Sequence, residues 1–151
     1  MGLTEKVGQD LISAMKAGES LRLAVVRLLS TRLKEARIAK RAELTDQEFY
    51  KVVVSEVSKR KEAIELFEKG GRMDLAAREL KEIEVLETYL PPRLSEDEIK
   101  AIVAEAVKEV DAKSPNDLGK VMKVVMPKVT GRAEGSLVNK TVRDLLAEAK
   151  D

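Results

Sequence analysis

Two short polar signatures, Thr45-Asp-Gln-Glu48 and Ser95-Glu-Asp-Glu98, stand directly before apolar runs of helical period. In such a capping box, the hydroxyl and the carboxyl three residues on satisfy N–H groups that a helix start leaves unpaired. Glycine and proline mark the opposite ends. Gly70-Gly71 closes the run that begins after Thr45, as helices often close. Pro91-Pro92 closes the next one, because neither residue can donate the hydrogen bond a continuing helix needs. A chain punctuated in this way folds as helices packed on helices. Its composition agrees: 36% of residues are charged and only 3% aromatic, whereas a sheet protein draws on aromatic and β-branched polar residues.

The apolar spacing predicts seven helices. Thr4 is expected to cap the first, which carries Val7, Leu11, Ile12 and Met15 and stops near Gly18. Ser20 caps a long second helix to about Arg41, with Leu21, Ala24, Val25, Leu28, Leu29, Leu33 and Ala36 on one face. The third runs from the Thr45 box to Lys69 with Phe49, Val53, Val57, Ile64 and Phe67 inward. Asp74 starts the fourth, presenting Leu75, Ala76, Leu80, Ile83, Leu86 and Leu90. Beyond the prolines, Ser95 opens a fifth helix with Ile99, Ile102, Val103, Ala106 and Val110, and Ser114-Pro115 opens a sixth with Leu118, Val121, Met122 and Val125. A turn from Pro127 to Gly131 leads to a last helix that buries Val138, Val142, Leu145 and Leu146. The expected fold is all-α: a four-helix bundle-like domain over 1–92 and a small three-helix domain over 93–151. With so few residues in its core, the second is expected to be the less stable.

Cysteine and histidine are absent. The chain therefore has no disulfide, no thiolate nucleophile and no imidazole to act as base or metal ligand. No catalytic residues and no metal site are predicted, and no cofactor is expected. Gly119, Gly131 and Gly135 match neither a Walker spacing nor a strand–turn–helix context, so a nucleotide loop is rejected; Gly119 is read instead as a close approach of helices. The N-terminal residues lack the basic-then-apolar layout of a signal peptide, and no apolar run reaches membrane-spanning length. A cytoplasmic protein without a membrane partner is the expectation.

Formal net charge is only +1, but its distribution is uneven. Between Lys113 and Arg143 seven basic residues face two acids, Asp117 and Glu134. Lys120 and Lys123 point away from the apolar side of the sixth helix, Lys128 and Arg132 flank the turn, and Asn139, Lys140 and Arg143 share the outer face of the seventh. Lysine and arginine supply salt-sensitive affinity for phosphate, and an amide reads a base or ribose edge. No aromatic residue lies in this region to stack bases, which favours folded RNA over single strands. A second basic block on helix two, from Arg22 to Arg41, is either a phosphate-facing surface or a solvated face. Arg32, Glu56, Arg60 and Glu79 fall inside the apolar stripes of the first bundle. They either pair across helices as a polar layer that fixes register, or reach along their stems to the rim.

Three blocks carry a family likeness: Val26-Arg-Leu-Leu29; Lys59 to Ala76 with Tyr89-Leu-Pro-Pro-Arg-Leu-Ser95; and Gly119-Lys-Val-Met122 with Met126-Pro-Lys128, Gly131-Arg-Ala-Glu-Gly135 and Val138-Asn-Lys140. On these the chain resembles the GatB/YqeY family, its tail being similar to the C-terminal domain of the aspartyl/glutamyl-tRNA amidotransferase B subunit. Glu134 stands where the family commonly has Asp, and Lys123 where it commonly has Gly. The resemblance implies tRNA binding by the tail and an association with carbon–nitrogen ligase activity that uses glutamine as amido donor. The kinase-like body that activates the misacylated end has no counterpart in these residues, and none could release ammonia or activate a carboxylate. The chain is thus expected to be a non-catalytic binder of tRNA or a similarly folded RNA. The competing expectation is a protein-interaction adaptor, or an accessory subunit of a glutamine-dependent amidotransferase.

Overall fold

The computed structural model describes residues 2–148. They form seven α-helices in chain order: α1 (Leu3–Ala17), α2 (Ser20–Lys40), α3 (Asp46–Lys69), α4 (Met73–Glu87), α5 (Glu96–Glu109), α6 (Leu118–Val129) and α7 (Gly135–Glu148). A 3-10 turn, Pro115–Asp117, leads directly into α6. The chain divides into two compact units, Met1–Leu90 and Pro91–Asp151. The architecture is the all-α one expected, a four-helix bundle and a three-helix tail.

In the first unit α3 and α4 form the most extensive helix pair, α1 packs on α2, and α2 touches both α3 and α4. Both capping boxes are formed: the Thr45 and Ser95 hydroxyls each accept from the N–H three residues on, and Glu48 and Glu98 reach back. The core gathers Val7, Val25, Leu29, Phe49, Val53 and Leu86. Phe49 meets Tyr89 edge to face, ring centroids 6.4 Å apart. Gly18 ends α1 at φ 69°, a left-handed value that glycine adopts without a Cβ clash.

Several local expectations are corrected. Helix α1 begins two residues earlier than read, so Thr4 lies inside its first turn and Gly2 occupies the cap. Ser20 is likewise the first residue of α2, with Glu19 before it. Asp74 sits in the first turn of α4 and is gripped by the Arg72 guanidinium at 3.2 and 3.1 Å. Ile12, Met15 and Leu80 are more than half exposed, while Val26, left out of the predicted stripe, is fully buried. A helix inside a four-membered bundle touches neighbours on two sides, so its buried arc is shifted from the mean apolar direction.

The charges within the first bundle make a polar layer. Glu56 and Arg60 are 4% and 8% exposed. The Arg60 Nη1 donates to Glu56 Oε2 at 3.1 Å and to its backbone oxygen at 3.0 Å. Across the bundle, Arg32 Nε lies 3.4 Å from Glu56 Oε1, while its Nη1 reaches out to Glu35 at 3.0 Å. Arg32 therefore does both things considered for it, pairing inward and reaching the rim. Burial acts to raise the Glu56 carboxyl, but hydrogen bonds from Arg60 and Lys59 outweigh it and hold the group below the usual carboxylate range.

In the second unit each helix buries residues one turn apart: Ile99, Val103 and Ala106 on α5; Val121, Val125 and Val129 on α6; Val138, Val142 and Leu146 on α7. The four-residue repeat keeps one narrow stripe inward on α6 and on α7. Pro127 was expected to break the chain, yet it lies inside α6, which runs on to Val129. It is exposed and sits in the final turn, where a helix loses only one hydrogen bond to a proline and little of it remains to be disrupted. The break falls instead at Thr130 to Glu134, with Gly131 at φ 80°. Gly119 has no atom within 4 Å of where a Cβ would stand, so it marks no close helix approach.

Candidate nucleic-acid interface

The seven residues singled out for RNA contact fall into three groups. Lys120 and Lys123 are exposed on the side of α6 opposite Val121, Val125 and Val129. Lys120 Nζ lies 3.8 Å from Asp117 Oδ1, an exposed pairing too loose to hold the side chain firmly. The Asp117 carboxylate is itself committed: it accepts from the Lys113 N–H at 2.9 Å and from Ser114, and these bonds hold it below its ordinary range. Lys123 has no partner among the described residues.

Asn139, Lys140 and Arg143 follow one another around α7, with Asn139 beside the core edge and the two cations exposed. Positions three and four apart on a helix are neighbours, so these three form one strip. Lys140 and Arg143 make no ion pair among the described residues. Among the described residues the strip is therefore two cations without a carboxylate partner, with an amide at their margin.

Lys128 and Arg132 are turned to other work. Lys128 sits at the edge of the α6 core face, its Nζ 3.8 Å from Glu109 Oε2 at the end of α5. Arg132 is half-buried in the turn. Its Nε donates to the Pro92 carbonyl at 3.3 Å, and its own carbonyl accepts from the Leu94 N–H at 2.8 Å. It thereby ties the segment preceding α5 to the α6–α7 turn. Glu98 is held below the usual carboxylate range, first by the Ser95 backbone N–H and hydroxyl and, more weakly, by the Arg132 charge. Sequence reasoning missed this clasp, because one partner is a backbone carbonyl forty residues away and leaves no side-chain signal. Among the described residues no group of histidines, cysteines or carboxylates is arranged to hold a metal ion, and no helix is long and apolar enough to cross a membrane.

A four-helix bundle followed by a valine-cored three-helix unit with exposed cations on α6 and α7 defines an all-helical class of protein. The chain belongs to the YqeY-like protein family, whose model matches residues 4–146. Among its relatives is the altered inheritance of mitochondria protein 41, mitochondrial, of Lachancea thermotolerans, 34% identical over 72% of this chain and 59% of the relative. The protein of the same name from Kluyveromyces lactis is 32% identical over 72% of this chain and 60% of its own length. That from Pyrenophora tritici-repentis is 26% identical over 91% and 77% respectively. The chain thus spans about 60% of the length of the first two relatives. These names overturn the expectation of a cytoplasmic protein, since all three place the relatives in mitochondria. Compartment is decided by targeting segments that cells read separately, and the make-up of a folded helical body does not report it.

Proposed function

We propose that the C-terminal unit binds tRNA or a similarly folded RNA, without catalysing a reaction itself. The observation that carries this reading is the set of exposed cations Lys123, Lys140 and Arg143, none with a carboxylate partner among the described residues, together with Asn139 on α7. A folded RNA presents phosphates on both strands of a groove, so cations on two helices have something to meet. The absence of tail aromatics favours the same target over single strands. The tail's resemblance to the amidotransferase B subunit supports tRNA as the RNA and a link to tRNA-dependent amidation. Lys120 and Lys128, loosely paired at 3.8 Å, are recruited on contact, while Arg132 shapes the turn.

Fluorescence anisotropy with an unmodified tRNA transcript across a salt series tests this. Affinity should fall steeply with salt, and Lys123→Glu with Lys140→Glu should flatten the slope by roughly one per lost phosphate contact. Salt-independent binding, or binding indifferent to both changes, would reject the interface. A second reading, docking of a protein partner on the first unit, has one observation behind it. Met73 and Leu80, two turns apart on α4, are 60% and 54% exposed. Capture of a defined protein that survives nuclease treatment and is lost in Leu80→Glu would favour it.

A further inference from the structure

A cleft of about 620 Å³ opens in the first unit among α1, α2 and α4, with Lys6, Asp10, Arg22, Lys81 and Glu84 around an apolar floor of Leu21 and Val85. Its charges are not all spoken for. The Asp10 carboxylate is fully occupied: Oδ2 accepts from the Tyr89 hydroxyl at 2.5 Å, and Oδ1 lies 3.5 Å from Arg22 Nη2. Arg22 in turn also pairs with Glu19 at 3.2 Å. Lys6 has no carboxylate partner among the described residues; its ammonium stands 5.6 Å above the Tyr89 ring. Lys81, on the α4 wall, has none either, nor does Glu84, one turn further along. Two ammonium groups, Lys6 from α1 and Lys81 from α4, thus face the cleft with no carboxylate committed to either, and the Glu84 carboxylate stands on the same wall as Lys81.

The frame behind these groups is tied to the core. Tyr89 is 4% exposed and packed on Phe49, and its bond to Asp10 joins residues 79 positions apart. Burial, followed by the Asp10 contact, pushes the phenol well above the ordinary tyrosine range, so it remains a donor at any physiological pH. The volume suits a small molecule, since ligand clefts span roughly 300–1,000 Å³.

We propose that this cleft binds a small organic anion, a carboxylate or phosphate ester whose charge is met by Lys6 and Lys81 and whose apolar body rests on Leu21 and Val85. Glu84 receives a hydroxyl or amino group of the same ligand. The site is separate from the tail and does not depend on RNA binding.

Titration of the ¹⁵N-labelled full chain with L-lactate, glycerol 3-phosphate and inorganic phosphate, read by NMR, tests the assignment. Saturable shifts are expected at Lys6, Arg22, Lys81 and Val85 with at least one organic anion, which should bind more tightly than inorganic phosphate. Comparison of lactate with glycerol 3-phosphate tells which acid group the cleft takes. The Lys6→Glu/Lys81→Glu variant should weaken binding about tenfold or more; both positions are exposed, and its own spectrum reports whether it is folded. Glu84→Gln should narrow the preference for the hydroxyl-bearing ester. Non-saturating shifts scattered over the surface with all three probes would overturn the proposal. So would saturable binding that maps elsewhere or survives the double charge reversal, and inorganic phosphate bound as tightly as its ester would remove the role of the apolar floor.

Discussion

Glu56 lies inside a bundle with 4% of its surface exposed, where a lone charge would force either protonation or unfolding. It keeps its charge because Arg60, Arg32 and Lys59 all reach it, at 3.1, 3.4 and 3.2 Å. A layer of this kind adds little net stability compared with apolar packing, yet removing one partner leaves the others stranded. Arg60→Met should therefore destabilise the first unit by about 3 kcal/mol, the low end for a broken buried pair, since Arg32 and Lys59 still reach Glu56. The double change Glu56→Leu with Arg60→Met should recover most of that loss. Both tyrosines and both phenylalanines lie in the first unit, so a urea titration followed by tyrosine fluorescence reads this unit alone. An unchanged midpoint for Arg60→Met would show that the layer has no energetic role. That these charges sit in apolar stripes was visible from spacing, but which of them pair was not. The partners of Glu56 come from its own helix and from α2, and only the packing sets Arg32 at the rim.

The helices themselves were legible wherever a side chain had to satisfy a helix end. Thr45 and Ser95, each followed by glutamate three residues on, start α3 and α5 where expected, and Gly18 and Gly70 stop α1 and α3. Hydroxyl and acidic residues misled wherever they were near a start without capping it, as at Thr4, Ser20 and Asp74, since a residue type does not fix its backbone angles to within one position. Pro127 misled for a related reason: so close to a helix end, a proline removes one hydrogen bond without stopping the turn it sits in. For the candidate interface, Lys123, Lys140 and Arg143 were legible as outward cations, because the α6 and α7 stripes are strict four-residue repeats. The tethers of Lys128 and Arg132 were not, being made to another helix and to a backbone carbonyl. The working cap at Ser95 carries a measurable consequence. Ser95→Ala removes the acceptor for the Glu98 N–H, 3.1 Å away, and should cost the tail about 1 kcal/mol. In far-UV circular dichroism the tail's share of the melt should shift to lower temperature while the tyrosine-detected transition stays in place. Movement of both transitions together would contradict a local cap effect.

At the scale of the whole molecule, pH distinguishes groups that fold with charge from one that resists it. Glu98 and Asp117 in the tail, and Glu48 and Glu56 in the bundle, are all held below the ordinary carboxylate range. A depressed acid contributes stability that is complete above its unfolded value, about 4, and is lost as pH falls through its lower folded value. Glu79 has the opposite sign. Burial and the neighbouring Glu82 raise its carboxyl, only partly offset by Arg60. At neutral pH its charge therefore works against folding, and this burden lifts as pH falls through the raised folded value. Glu79→Gln mimics the protonated group, so it should raise the tyrosine-detected urea midpoint at pH 7. The advantage should shrink as pH is lowered and vanish near the unfolded carboxylate value of about 4, where native Glu79 has already taken up its proton. A gain that persists at the lower pH would mean that the glutamine acts through packing or a new hydrogen bond. No gain at pH 7 would mean that Arg60 balances the Glu79 charge after all, making Glu79 a full member of the polar layer rather than a strained neighbour of it.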